Sequence, residues 1–157
     1  MQFTYLNGRY LTKKNSSIST EDRGYNFSDG VYEVIAFKKK TLLNYDKHLV
    51  RLKKSLLSLR IKSPFANFQS LRIVLTHLIN INLINEGFIY LQITRGSAPR
   101  NHLIPEKINP NIFLSIYPKK DLGMLKKKGV KVITSNDLRW KRCDIKSISL
   151  LPNVLGK

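Results

Sequence analysis

Leu49, Leu52, Leu56 and Leu59 follow one another at spacings of three, four and three, while the chain's β-prone apolar runs lack that period. This contrast limits the fold more than any other feature. A helical period gathers the four leucines on one stripe, which has to be buried against a partner surface. A second stripe (Leu71, Leu75, Leu78 and Asn82) lies along a stretch from about Phe68 to Leu83 that Gly87 ends. Asp46 suits the N-cap of the first helix. Lys47, Lys54 and Ser58 fall away from its stripe, and Pro64 separates the two helices.

Strands supply the surface on which both helices lie. Phe3-Thr-Tyr-Leu6 and Arg9-Tyr-Leu-Thr12 flank Asn7-Gly8, a pair that provides the positive φ angles of a type I′ hairpin turn. Val31 to Phe37 and Thr41 to Tyr45 form a second hairpin around an exposed tip, Lys38-Lys39-Lys40. Phe88 to Thr94, Asn111 to Tyr117 and Val130 to Thr134 complete the β-prone set. The pattern predicts an α+β fold, a mostly antiparallel sheet of five or six strands with two helices on one face.

Length and charge narrow the function classes. A chain of 157 residues holds one well-buried core and not two ordinary domains. No apolar run reaches the roughly 18 residues of a membrane span. Met1-Gln-Phe-Thr-Tyr-Leu6 lacks the basic-then-apolar order of a secretory leader, so a cytoplasmic location is expected. A single cysteine, Cys143, excludes an internal disulfide framework, and three histidines without ligand spacing predict no metal site. Lysine and arginine outnumber the acids 28 to 10, a formal +18 that favours loose contact with anionic polymers or surfaces. The bases are dispersed, however, and the short clusters at 38–40 and 126–128 have no aromatic stacking partners. They read as solvated lysine, with neither nucleic acid nor membrane as a partner.

Near the carboxyl end the chain reads Leu138-Arg-Trp-Lys-Arg-Cys-Asp-Ile-Lys146-Ser, with apolar Ile148, Leu150 and Leu151 following. These neighbours place the Lys146 amine in partly buried surroundings, with Cys143 expected beside it as a small buried side chain. The segment resembles the cofactor-lysine segment of the fold-type IV (class IV) pyridoxal-phosphate aminotransferases, the D-amino acid (D-alanine) aminotransferases in particular. Three more segments are similar to the family's in order and spacing. Glu21-Asp-Arg-Gly-Tyr-Asn-Phe-Ser-Asp-Gly-Val-Tyr-Glu33 resembles its amino-terminal signature, with Ser28 where glycine is common. Lys47-His-Leu-Val-Arg-Leu52 resembles the helix that carries a phosphate-binding arginine. Tyr90-Leu-Gln-Ile-Thr-Arg-Gly-Ser-Ala-Pro-Arg-Asn-His102 resembles the segment that supplies an arginine and a histidine to the substrate carboxylate.

The resemblance implies a role for each residue. Lys146 would hold pyridoxal 5'-phosphate as a Schiff base and move the substrate's α proton. Arg51 would grip the cofactor phosphate with paired donors. Tyr32 would donate to the substrate carboxylate, joined by Arg100 and His102 from the partner subunit of a homodimer. The implied reaction converts D-alanine and 2-oxoglutarate into pyruvate and D-glutamate. Residues 1–122 would form the family's amino-terminal domain and residues 123–157 the start of its second domain, truncated past a helix beginning near Leu150. The absent part would supply the acid that faces the pyridine nitrogen and further phosphate donors. Losing two or three charge-assisted hydrogen bonds weakens binding by roughly three or more orders of magnitude. Three readings stay open: an inactive remnant, half of a split enzyme completed by a second polypeptide, and a basic binding module without chemistry.

Overall fold

The computed structural model describes residues 1–157 except 121, 122, 124–127 and 138. Strands β1 (Phe3–Leu6) and β2 (Arg9–Thr12) form the expected hairpin, with Asn7 at φ +46° and Gly8 at φ +92° in the turn. A short helix α1 (Arg23–Phe27) leads into β3 (Gly30–Lys38), β4 (Thr41–Leu42), α2 (Tyr45–Ser58), α3 (Phe68–Ile81), β5 (Glu86–Thr94) and β6 (Asn111–Pro118), and α4 (Leu151–Leu155) follows near the carboxyl end. The strands form a six-stranded sheet in the order β2-β1-β6-β5-β3-β4, with every neighbouring pair antiparallel. The α+β expectation, with α2 and α3 on one face, is what the structure has.

Strand alternation decides what each face carries. Val31, Ile35 and Phe37 of β3, Ile89, Leu91 and Ile93 of β5, and Ile112, Leu114 and Ile116 of β6 are buried on the helix side. They meet Leu52 and Leu56 of α2 and Leu71, Leu75, Leu78 and Ile79 of α3 in one core. The opposite face carries aromatic pairs, Tyr32 on Tyr90 with ring centroids 5.8 Å apart and Phe88 on Tyr117 at 5.1 Å. The core face also holds one carboxylate, Glu33, in register with those apolar residues.

Several local expectations are corrected. Helix α2 begins at Tyr45, with only Leu43 and Asn44 between it and β4 rather than after a longer strand, and its N-cap is Asn44, not Asp46. The cause is the Tyr45 ring, which is buried and donates its hydroxyl to the Phe68 carbonyl at 2.8 Å. Burial pushes that phenol up to about 12. Helix α3 ends at Ile81, and Leu83 turns the chain at φ +55°. Gly87 lies instead inside β5, where a Cβ would stand 2.1 Å from the Tyr117 carbonyl oxygen. Helix α1 has too few residues to show a period, and Asp22 caps it by accepting from the Gly24 and Tyr25 amides.

Val130 to Thr134 is not a strand. The segment is exposed, Ile133 to 93%, and pairs with no strand among the described residues; β propensity is realised only against a pleated neighbour. Of the lysine cluster 126–128, Lys126 and Lys127 lie outside the described residues, as do Leu138 and residue 122 at the expected division. Among the described residues no helix is long and apolar enough to cross a membrane.

Candidate functional site

Strand β4 pairs with the end of β3, at Phe37 and Lys38, and the Leu43 amide donates to the Ala36 carbonyl, so β4 leaves the outer edge of residues 30–35 uncovered. The segment around Lys146 occupies that edge. The Tyr32 amide donates to the Lys146 carbonyl at 3.0 Å, the Ile148 amide donates to the Gly30 carbonyl at 3.1 Å, and Ser147 bridges to Val31. From the helix side the Ser55 hydroxyl oxygen accepts the Lys146 amide at 3.1 Å. Ile145, 4% exposed, plugs into the core beside it. The lysine backbone is therefore fixed on both sides, and its side chain points away from the core.

Cys143 is not buried as expected, because it lies in the turn at 143–144, before the extended stretch that packs on β3. Ile145 and Ser147 take the inward positions, and Cys143 lies in an exposed turn with its thiol donating to the Trp140 carbonyl at 2.9 Å. The Lys146 ammonium sits 3.8 Å from the centroid of the Tyr32 ring, a cation–π contact that holds it above the sheet.

Arg51 reaches the same place from α2. Its Nε and Nη2 donate to Glu33 Oε1 and Oε2, each at 2.7 Å. His48 Nδ1 lies 2.8 Å from Glu33 Oε2. The Glu33 side chain is 1% exposed and Arg51 49%, so a buried carboxylate anchors a cation that stands half in solvent. The hydrogen bonds to Glu33 hold the Arg51 guanidinium above the ordinary arginine value. Arg51, Tyr32 and Lys146 line one cleft of about 230 Å³, closed by Trp140, Ser147 and Asn153.

Arg100 and His102 are elsewhere. Both are exposed and gather on the Phe27 ring, the Arg100 guanidinium 5.1 Å and the His102 ring 5.3 Å from its centroid. Neither lines the Lys146 cleft. Their loop is held from below by Arg23, which donates to the carbonyls of Asn101 at 2.6 Å and Leu103 at 3.3 Å. Asp29 accepts from Arg23 Nε at 2.9 Å, and from Arg95 Nε at 2.7 Å and Nη2 at 3.0 Å. Arg95 in turn donates to the Leu59 and Arg60 carbonyls where α2 ends. Sequence reasoning missed Glu33, Ser55 and this buried cluster. The one available signal was a charged residue among apolar alternates, at Glu33.

The donor set fits a small aldehyde that bears a phosphate. A lysine amine, a guanidinium whose Nη1 has no hydrogen-bond partner among the described residues, and the aromatic Tyr32 ring line one cleft. Among the described residues no group of three or more His, Cys, Asp or Glu could hold a metal ion.

Comparison with known proteins follows the same line. The family described as amino-transferase class IV matches residues 30–157. A D-alanine aminotransferase from Bacillus licheniformis is 40% identical over 152 residues, which cover 97% of this chain and 53% of that protein. One from Staphylococcus haemolyticus is 38% identical over 162 residues, covering 100% of this chain and 56% of the relative. The chain spans about half the length of the curated relatives it matches. Among solved structures, 4-amino-4-deoxychorismate lyase from Pseudomonas aeruginosa superposes with a TM-score of 0.74 at 22% identity, covering 98% of this chain and 55% of that one. The branched-chain amino acid aminotransferase from Escherichia coli gives 0.70 at 16% identity, over 75% of this chain and 41% of the other.

Proposed function

This chain belongs to the class IV aminotransferases, and from that premise we propose that its 157 residues carry the covalent-anchor half of a D-amino acid transaminase site. The observation that carries the reading is the convergence of Lys146 and Arg51 on one cleft, with the lysine backbone fastened to both β3 and α2.

Pyridoxal 5'-phosphate, when bound, supplies an electron sink for the substrate's α carbon. The chain's own residues do the rest. Lys146 offers its amine as the attachment point and afterwards takes and returns the α proton at Nζ. Arg51 presents the outer edge of its guanidinium to phosphate. The Tyr32 hydroxyl donates to the substrate carboxylate. Arg100 and His102 act on that carboxylate from a second copy, since they stand apart from the cleft of their own chain. We read residues 1–122 as one unit and 123–157 as the opening of the next. The substrates are D-alanine and a 2-oxo acid such as 2-oxoglutarate, yielding pyruvate and D-glutamate. Groups facing the pyridine nitrogen and the rest of the phosphate belong to the relatives' remaining length, so these residues alone turn over slowly or not at all.

The test is pyruvate formation from D-alanine and 2-oxoglutarate, by this chain alone and with a polypeptide that supplies the relatives' remaining length. The mixture gains activity that Lys146→Ala abolishes. Fast turnover by the chain alone, or activity that survives Lys146→Ala, refutes the proposal.

A further inference from the structure

Glu33 does something that packing does not require. It stands on the helix-facing side of β3 between Val31 and Ile35, fully buried, where an apolar residue would serve the core as well. A carboxylate persists in such a place only when its oxygens are matched by charged or polar donors. Here three nitrogens match them, Arg51 Nε and Nη2 at 2.7 Å and His48 Nδ1 at 2.8 Å. His48 precedes Arg51 by three residues on α2, so both reach the strand from one face of the helix. Since His48 Nδ1 donates to Glu33, the contact of 3.4 Å between that nitrogen and Arg51 Nη2 is not a hydrogen bond.

A guanidinium has two edges that can form a fork. Glu33 occupies the Nε–Nη2 edge, and the plane of the carboxylate then dictates where the Nη1–Nη2 edge faces. Arg51 lines the cleft shared with Lys146, and Glu33 takes its Nε–Nη2 edge. Without the carboxylate, a half-exposed arginine on a helix surface would sample many rotamers, most of them aimed at solvent. We propose that Glu33 is a positioning residue for phosphate recognition: through its fork with Arg51 it sets the guanidinium edge that distinguishes a phosphorylated aldehyde from the same aldehyde without phosphate. His48, which meets the same Oε2 that accepts from Arg51 Nη2, gives that oxygen a second tie to α2 and keeps Glu33 from turning with the arginine. The inference rests on the reading of Arg51 as the phosphate-binding residue.

The experiment compares two probes, pyridoxal phosphate and pyridoxal, on the full chain. Each is allowed to react, fixed with borohydride, and its rate of attachment at Lys146 is read by peptide mass. The phosphate preference at Lys146 is divided by that at the exposed Lys131, which cancels the intrinsic reactivity of the two aldehydes. Wild type gives a quotient above one, and Arg51→Ala brings it to one. Glu33→Gln lowers it by roughly three- to tenfold or down to one, the effect of losing a hydrogen bond of ordinary net worth. Glu33→Asp keeps the buried charge but is too short to span both nitrogens, so it lowers the quotient too and serves if the glutamine variant does not fold. A purely structural role for Glu33 slows both aldehydes alike and leaves the quotient at the wild-type value. That result in either folded variant overturns the inference. A quotient of one in wild type, or one unmoved by Arg51→Ala, overturns the reading of Arg51 instead.

Discussion

Replacing Asp29 with asparagine removes the negative charge that two buried guanidiniums share, the only one among their hydrogen-bond partners in the described residues. The side chains of Arg23 and Arg95 are 5% and 6% exposed, that of Asp29 is 13%, and three charge-assisted hydrogen bonds of 2.7–3.0 Å join them. Taking one partner out of a buried ionic cluster costs about 3–5 kcal/mol, because the charges left behind remain desolvated. Against a total stability of about 5–15 kcal/mol, that loss is large. The pH dependence follows from the direction of the shift. Burial alone would raise the Asp29 pKa, but the hydrogen bonds from Arg95 and Arg23 outweigh it and hold the carboxyl below its ordinary value. A carboxyl lowered in the folded state contributes stability above its unfolded pKa of about 3.9 and loses it as pH falls through the folded value. Urea unfolding of wild type and Asp29→Asn should therefore differ by the full amount at neutral pH and converge in acid. The variant should also loosen the 101–103 loop, whose carbonyls Arg23 holds, and raise its amide exchange. A difference under about 1 kcal/mol at neutral pH, the worth of an exposed pair, would refute the reasoning.

Two further substitutions probe the scaffold of the site. Ser55→Ala leaves the Lys146 amide without its side-chain acceptor, a loss of about 1–3 kcal/mol for a buried donor, and amide exchange at Lys146 should quicken while that of the Leu71–Leu78 stripe does not. Gly87→Ala would put a methyl group 2.1 Å from the Tyr117 carbonyl oxygen and must part β5 from β6, so its urea midpoint should fall well below the wild-type value; an unchanged midpoint would deny that close approach.

The parts of the fold legible in the sequence are those written in local terms. The Asn7-Gly8 turn, the leucine stripes of α2 and α3, and the strands β5 and β6 all follow from period and turn chemistry. Helix α1 escaped because five residues hold less than two turns, and only the Asp22 cap marked it. Val130 to Thr134 was misread because β propensity says nothing about whether a partner edge is present. Cys143 is expected inside because neighbouring apolar residues suggest burial, whereas the turn at 143–144 holds it outside the stretch that packs on β3 from Ile145 onward. Lys146, Tyr32 and Arg51 were picked out by resemblance and share one cleft in the structure. Glu33, Ser55 and Asp29 act through contacts 18, 91 and 66 residues apart in sequence, which no local pattern encodes.

The account stands on Lys146 as the attachment point for the cofactor. The most direct measurement is a mass map of the lysines fixed by borohydride when this chain, paired with a polypeptide supplying the relatives' remaining length, is saturated with pyridoxal phosphate. The label should concentrate on Lys146 and be lost from that position without reappearing elsewhere in Lys146→Ala. Label spread evenly over exposed lysines such as Lys40 and Lys131, with Lys146 no more reactive than they are, would contradict it.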